Sequence, residues 1–410
     1  MMCHTDSLSR RDKPTILVFV AHYLPGFKAG GPIRSIANLV HHLGQEFDFR
    51  IVTSDRDAGD TSPFESVTPN TWQACGNAKV FYASPSFARH SVMQSAIGNT
   101  RPNLIYINSF FSPDFAIGPL MALRVLDKPR PPIVMAPRGE FSEGALGIKK
   151  WKKLPYKLTF RALGFHRKVH WQASSESEAR DIERELGPRC GPIHVAPNLP
   201  PAVSNHAPGF PREGDPKVDP LRIVFLSRIS PKKNLAWALD VLRRIRAPVE
   251  FSIYGRISDD AYWSHCRDKI GSLPKNVRAR YRGVIPHPEV PSVLAEHDLF
   301  FLPTLGENYG HAIHEALSAG LPVLISDQTP WRDLPQKGVG WDLPLDDAEG
   351  FATVIEGQAN LTEEVRRQLR LRARRFAANV SRDDERVALN RALFHRALAS
   401  GRGERTGEPR

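Results

Sequence analysis

Two stretches in which short apolar runs alternate with amphipathic segments, separated by a proline-rich segment, constrain the fold of this chain more than any other feature. The first opens with an apolar run at residues 15–21 and a helix predicted over 32–43. Pro32 suits the first turn of that helix, and Ile36, Leu39, Val40 and Leu43 share one face. Strand-like runs at 49–53, 79–83, 104–108, 133–136 and 169–173 continue the rhythm. Such βα alternation predicts a parallel sheet covered by helices on both faces. Residues 199–220, LPPAVSNHAPGFPREGDPKVDP, break the pattern and read as an interdomain linker. Alternation resumes with runs at 222–227, 250–254, 299–302 and 322–325. The expected architecture is α/β, with two Rossmann-like parallel-sheet domains at 15–198 and 221–360 facing an interdomain cleft. Residues 1–14 read as a flexible N-terminus, 361–400 as C-terminal helices and 401–410 as a disordered tail. A chain of 410 residues is long enough for two such domains, each with its own core.

The richest chemistry lies in LPTLGENYGHAIHEALSAGLPVLISD, residues 302–327. Glu307 stands in a loop and Glu315 inside the helix that follows. Gly310 marks its entry, Ile313, Ala316 and Leu317 its buried face, and Gly320 its stop. The free N–H groups of residues 308–311 suit an anion, and a carboxylate beside them suits hydroxyl groups. A ligand with both a phosphate and a polyol fits best. Arg228 and Lys233 follow the buried run at 222–227, which places cations at the C-terminal end of a strand, where open α/β sheets bind ligands. Lys232 reads as the solvent-facing neighbour. Gly30 and Gly31 lie between the first strand and its helix, where backbone without Cβ atoms can approach a diphosphate or sugar. The spacing His311-x-x-His314-Glu315 matches neither common zinc-helix pattern, so no metal site is expected.

Together these residues resemble the retaining glycosyltransferases of the large family 4, which have a GT-B fold and use nucleotide-sugar donors. The matching pieces are the Glu-x7-Glu pair at Glu307 and Glu315, the Arg-x4-Lys pair at Arg228 and Lys233, and Gly30-Gly31. The resemblance implies that Arg228 and Lys233 stabilise the departing diphosphate and that Glu307 holds hydroxyls of the transferred sugar. Glu315 would hold the ribose, and Gly30, Gly31, Asn308, Tyr309, Gly310 and His311 would complete the donor site. It implies no cofactor and no metal, because cations and a helix N-terminus already neutralise the leaving group. Residues 325–331, ISDQTPW, resemble the members that assemble bacterial surface polysaccharide. Three departures stand out. Pro137-Arg138-Gly139-Glu140 occupies the place of a common acceptor-domain histidine, so Arg138 and Glu140 are the acceptor-side candidates. The usual Glu-Gly-Phe-Gly is Glu307-Asn308-Tyr309-Gly310, and Pro197-Asn198-Leu199 replaces Pro-Asn-Gly.

A net charge of +12 calls for an anionic partner. Between 149 and 168 there are eight Lys or Arg and no acid, interleaved with Trp151, Leu154, Tyr156, Leu158, Phe160 and Leu163. That pattern suits anionic lipid headgroups. No recognised nucleic-acid motif accompanies the charge, so a nucleic-acid partner is not expected. Cys3, Cys75, Cys190 and Cys266 are far apart and point to a reducing compartment. The opening residues lack an apolar signal core, and no run reaches the ~18 apolar residues of a spanning helix. The expectation is a cytoplasmic enzyme, peripheral on the inner membrane, that moves a sugar from a UDP- or GDP-linked donor to a hydroxyl of a lipid-linked saccharide. Its rivals are a nucleotide-sugar epimerase with the same cleft and a non-enzymatic basic scaffold.

Overall fold

The computed structural model describes residues 13–85, 89–125, 130–142, 146–147, 150–201 and 219–406. Residues 1–12 and 202–218, most of the proline-rich segment, lie outside the described residues, and so do the expectations of a flexible N-terminus and a linker.

The first sheet has eight strands: β1 (Thr15–Phe19), β2 (Asp48–Ser54), β3 (Trp72–Cys75), β4 (Ala78–Ala83), β5 (Leu104–Asn108), β6 (Ile133–Ala136), β7 (Val169–Ala173) and β8 (Ile193–Val195). Their order is β3-β4-β2-β1-β5-β6-β7-β8. All pairs are parallel except the hairpin β3-β4 at one edge. The second sheet contains β9 (Leu221–Leu226), β10 (Val249–Tyr254), β11 (Val277–Gly283), β12 (Leu299–Leu302), β13 (Val323–Ser326) and β14 (Gly340–Leu343). It is wholly parallel, in the order β11-β10-β9-β12-β13-β14. The central strands β5 and β12 are buried along their whole length. Continuous apolar runs are what a sheet covered on both faces requires.

Each face of the first sheet has its own core. One gathers Ile16, Val18, Phe49 and Tyr106, the other Leu17, Phe19, Phe110 and Trp171. The second domain packs a single large cluster around β9 and β12. Helix Glu363–Ser381 belongs to this domain: Ala373 and Ala377 enter the cluster, and buried Arg370 donates to the His297 carbonyl at 2.6 Å and to Asp298 at 3.1 Å.

The last helix, Asp384–Thr406, crosses back onto the first sheet. Leu393, Phe394 and Ala397 join its core. Asn390 donates to the Pro197 carbonyl at 2.8 Å and accepts from Gln172 at 3.0 Å. The tail expected to be disordered from 401 is therefore helical as far as Thr406; a Cβ at Gly401 would stand only 2.7 Å from Pro132. Polar composition suggested disorder, and packing against the first domain overrides it.

Candidate functional site

In a parallel sheet every strand ends on the same edge, and loops after neighbouring strands start about 4.8 Å apart. The order β10-β9-β12 therefore brings together Arg256, which follows β10, Arg228, which follows β9, and the loop holding Glu307, which follows β12. The first two loops touch so closely that a Cβ at Gly255 would lie 1.8 Å from the Ser227 carbonyl oxygen. In the first domain the same logic gathers the glycine loop after β1, Asn108 and Ser109 at the end of β5, and the 137–140 turn after β6.

These two edges face each other across one cleft of about 550 Å³. Every site residue singled out in the sequence lines it: Arg228, Lys233, Glu307 and Glu315 with the Asn308-to-His311 turn on one wall, Gly30, Gly31, Arg138 and Glu140 on the other. The sequence pattern thus located the cleft; the role of each residue is a separate matter.

Lys233 is buried at the end of the 3-10 turn Pro231–Lys233, and its ammonium donates to Glu307 Oε1. Glu315 Oε1 lies 3.2 Å from His287 Nε2. Lys232 also lines the cleft rather than facing solvent, which corrects the sequence reading. The reason is local: the Lys232 backbone is tied to the loop after β12 by Thr304 and Leu305, and its stem lies beside Gly306 in ordinary van der Waals contact, with Cε 3.7 Å from where a Cβ would be. The Lys232 carbonyl in turn accepts from Leu305 N at 2.8 Å and fixes the start of the Glu307 loop.

The helix His311–Ser318 is entered through Gly310, whose φ of 80° lies in the left-handed region. Tyr309 lines the cleft but is almost wholly buried, and Trp331 donates its indole N–H to the Tyr309 carbonyl. The 325–331 phrase therefore acts as a buttress for the Glu307–Gly310 loop. His311 reaches the other domain: its Nε2 lies 3.3 Å from Ser35 Oγ, and burial, reinforced by nearby cationic groups, pushes its imidazole down to about 3. His314 turns elsewhere, to Ser381 Oγ at 3.1 Å.

Burial also holds His314 at about 4, against an ordinary 6.5. A histidine with a folded pKa below its unfolded one binds protons more readily when unfolded. Its contribution to stability is complete above about pH 6.5 and is lost as pH falls toward 4. The thermal midpoint should thus drop between pH 7 and 4.5, and His314→Gln should flatten that slope. An unchanged slope in the variant would remove His314 as a cause.

On the first-domain wall both acceptor-side candidates are already engaged. Arg138 donates from Nε to Asn108 Oδ1 at 2.7 Å, from Nη2 to Tyr106 Oη at 2.5 Å and from Nη1 to Asn198. Glu140 accepts from Ser109 Oγ at 2.7 Å, Phe110 N at 2.5 Å and Phe111 N at 3.0 Å. Burial raises its carboxyl above the usual range, and those three donors oppose the rise. The amide Nδ2 of buried Asn108 has no protein partner among the described residues. Asp57 anchors the glycine loop by accepting from Phe27 N at 2.7 Å and Lys28 N at 2.9 Å.

Arg34, Asn108, Ser109, Lys153, Arg256 and His287 also line the cleft and were missed in the sequence. Arg256 was findable, since it follows a strand just as Arg228 does. His287 and Arg34 carry no such local signal.

Two facing parallel-sheet domains with a C-terminal helix crossing back define the GT-B fold. The same arrangement occurs in sucrose-phosphate synthase from Thermosynechococcus elongatus, with a TM-score of 0.67 and 14% identity over 95% of this chain and 99% of that one. Anabaena Alr3699/HepE in complex with UDP and glucose aligns with a TM-score of 0.65 and 16% identity, over 94% of this chain and 100% of that one. Residues 220–359 match the family described as Glycosyl transferases group 1. Among curated relatives, the phosphatidyl-myo-inositol mannosyltransferase of Mycolicibacterium smegmatis is 32% identical over 155 residues, 36% of this chain and 37% of the relative. The putative colanic acid biosynthesis glycosyltransferase WcaL of Salmonella typhimurium is 25% identical over 181 residues, 42% of this chain and 44% of the relative. The chain thus spans about two fifths of the length of the curated relatives it matches.

Proposed function

We propose that the protein is a retaining glycosyltransferase that moves a sugar from a UDP- or GDP-linked donor to a hydroxyl of a lipid-linked saccharide. The observation that carries this reading is the convergence of Arg228, Lys233, Glu307 and Glu315 at one sheet edge, around the N-terminus of a helix and opposite a glycine loop. Cations and free N–H groups there match a diphosphate, and the two carboxylates match sugar and ribose hydroxyls. In the step itself the bond from the sugar's anomeric carbon to the diphosphate oxygen breaks and its electron pair leaves with the diphosphate. Arg228 and Lys233 stabilise that charge. The acceptor hydroxyl bonds to the same face of the sugar, and its proton passes to the departing diphosphate. Positioning and charge stabilisation carry the rate, without a protein nucleophile or a metal in the role of the cations.

The acceptor half of the proposal is supported by the helix Lys150–Ala162 in the first domain. Phe160 is buried and Tyr156 donates to the Phe110 carbonyl, which fixes the inner face. Trp151, Leu154 and Leu158 project outward at 73, 54 and 54% exposure, among basic residues. An amphipathic face of this kind fits the headgroup region of an anionic membrane, where a lipid-linked acceptor resides. No helix among the described residues is long and apolar enough to cross a membrane. A peripheral location on the cytoplasmic face completes the proposal.

Calorimetry with a panel of nucleotide sugars and free nucleotides tests it. The expected outcome is tight binding of one donor by the wild type, weakened about tenfold or more by Lys233→Ala, which removes a charge-assisted bond to phosphate. Donor consumption without glycoside formation would favour an epimerase; no nucleotide binding would favour a scaffold.

A further inference from the structure

The side chain of Asn308 is spent across the domain boundary. Its Nδ2 donates to Glu178 Oε2 at 3.2 Å and to Ser174 Oγ at 3.3 Å, both in the first domain. It also lies flat against the backbone of the 137–140 turn, where a Cβ at Gly139 would stand 1.9 Å from Asn308 Oδ1. Only glycine at 139 lets the two loops meet.

Glu178 is buried, and its other oxygen accepts the backbone N–H of Gly139. One carboxylate therefore ties together the Glu307 loop of one domain and the turn of the other. That turn needs holding: Arg138 and Gly139 have φ of 58° and 73°, and a left-handed conformation at Arg138 costs free energy that its surroundings must supply. From the same turn the Arg138 side chain donates to Asn108 Oδ1, and the Asn108 amide nitrogen is buried without a partner among the described residues.

We infer that Asn308 is a positioning residue that registers the Arg138–Gly139 turn against the donor loop through Glu178, so that the acceptor wall is in place only when the domains are closed. Its kinetic consequence rests on the glycosyltransferase reading, but its structural consequence does not. Without the Asn308 amide, the donor still meets Arg228, Lys233, Glu307 and Glu315, whereas the acceptor meets a loosened wall and water gains access.

Hydrogen exchange of the 137–142 segment in the full chain is the first readout, on wild type, Asn308→Ala, Asn308→Asp and Asn308→Asp with Glu178→Gln. Removal of the amide should speed exchange at Gly139 about tenfold, and Asn308→Asp, which sets two carboxylates together, by more. The double variant restores an amide–carboxylate pair with the roles exchanged and should recover part of the protection. In kinetics, Asn308→Ala should raise acceptor KM and lower the ratio of transfer to donor hydrolysis about tenfold, while donor affinity stays within about twofold. Unchanged exchange in Asn308→Ala, or a drop in donor affinity as large as the drop in transfer, would overturn the inference. A wild type that binds no nucleotide sugar would end the glycosyltransferase reading, and the exchange data would still decide whether Asn308 holds the turn.

Discussion

Arg228→Ala is expected, on the proposed glycosyltransferase reading, to lower sugar transfer by roughly 10²–10³-fold, the scale seen when one preorganised donor to a developing negative charge is removed. Arg228 should matter more than its neighbour Lys233 because of what each does in the empty cleft. Lys233 is already paired with Glu307, so part of its attraction for a phosphate is consumed in leaving that carboxylate. Arg228 makes no hydrogen bond among the described residues, although Glu307 attracts it more than Arg256 repels it. Its fork is thus free to take two oxygens of the diphosphate. The effect should fall mainly on kcat, because charge on the bridging oxygen grows as the sugar leaves, with a smaller effect on donor KM. Arg228→Lys should recover only part of the rate, since a point charge cannot reproduce two-point contact. A fall in kcat of less than about threefold would remove Arg228 from the chemistry and leave Arg256 as the alternative cation.

The site was legible because its residues sit at strand ends, and strand ends are readable wherever the strand itself is a buried apolar run. LRIVFL before Arg228 and LFFL before Glu307 are such runs. Strands at the sheet edges left weaker traces. The segment of β11, VRARYRG, alternates buried or half-buried positions with exposed arginines, and β3, β8 and β14 are only three or four residues long. What could not be read at all were the meetings of distant segments. A loop that reads as donor-binding in sequence turns out to spend Asn308 on Glu178, 130 positions away. Lys232 looked like a surface residue because adjacent residues usually diverge, and the bond that ties its backbone to the cleft comes from Thr304, 72 positions along the chain.

Phe394→Ala is expected to destabilise the first domain by about 3–5 kcal/mol, the range for emptying a buried phenylalanine site. Phe394 is 1% exposed and packs between Phe47, Phe49 and Tyr106, with ring centroids at 5.5, 6.2 and 5.7 Å. Those three residues belong to the first domain, whereas Phe394 arrives on a helix that follows the second domain in the chain. The substitution therefore weakens the domain's core and its crossing helix at once. Leu389→Ala on the same helix is the control: Leu389 is 39% exposed, and its truncation should stay within about 0.5 kcal/mol. Denaturant unfolding of both variants, followed by tryptophan fluorescence and by far-ultraviolet dichroism, separates the cases. If Phe394→Ala costs no more than the control, the helix is not docked in solution. If the larger destabilisation is found, the crossing helix is a structural tie, because a segment that follows the second domain completes the core of the first.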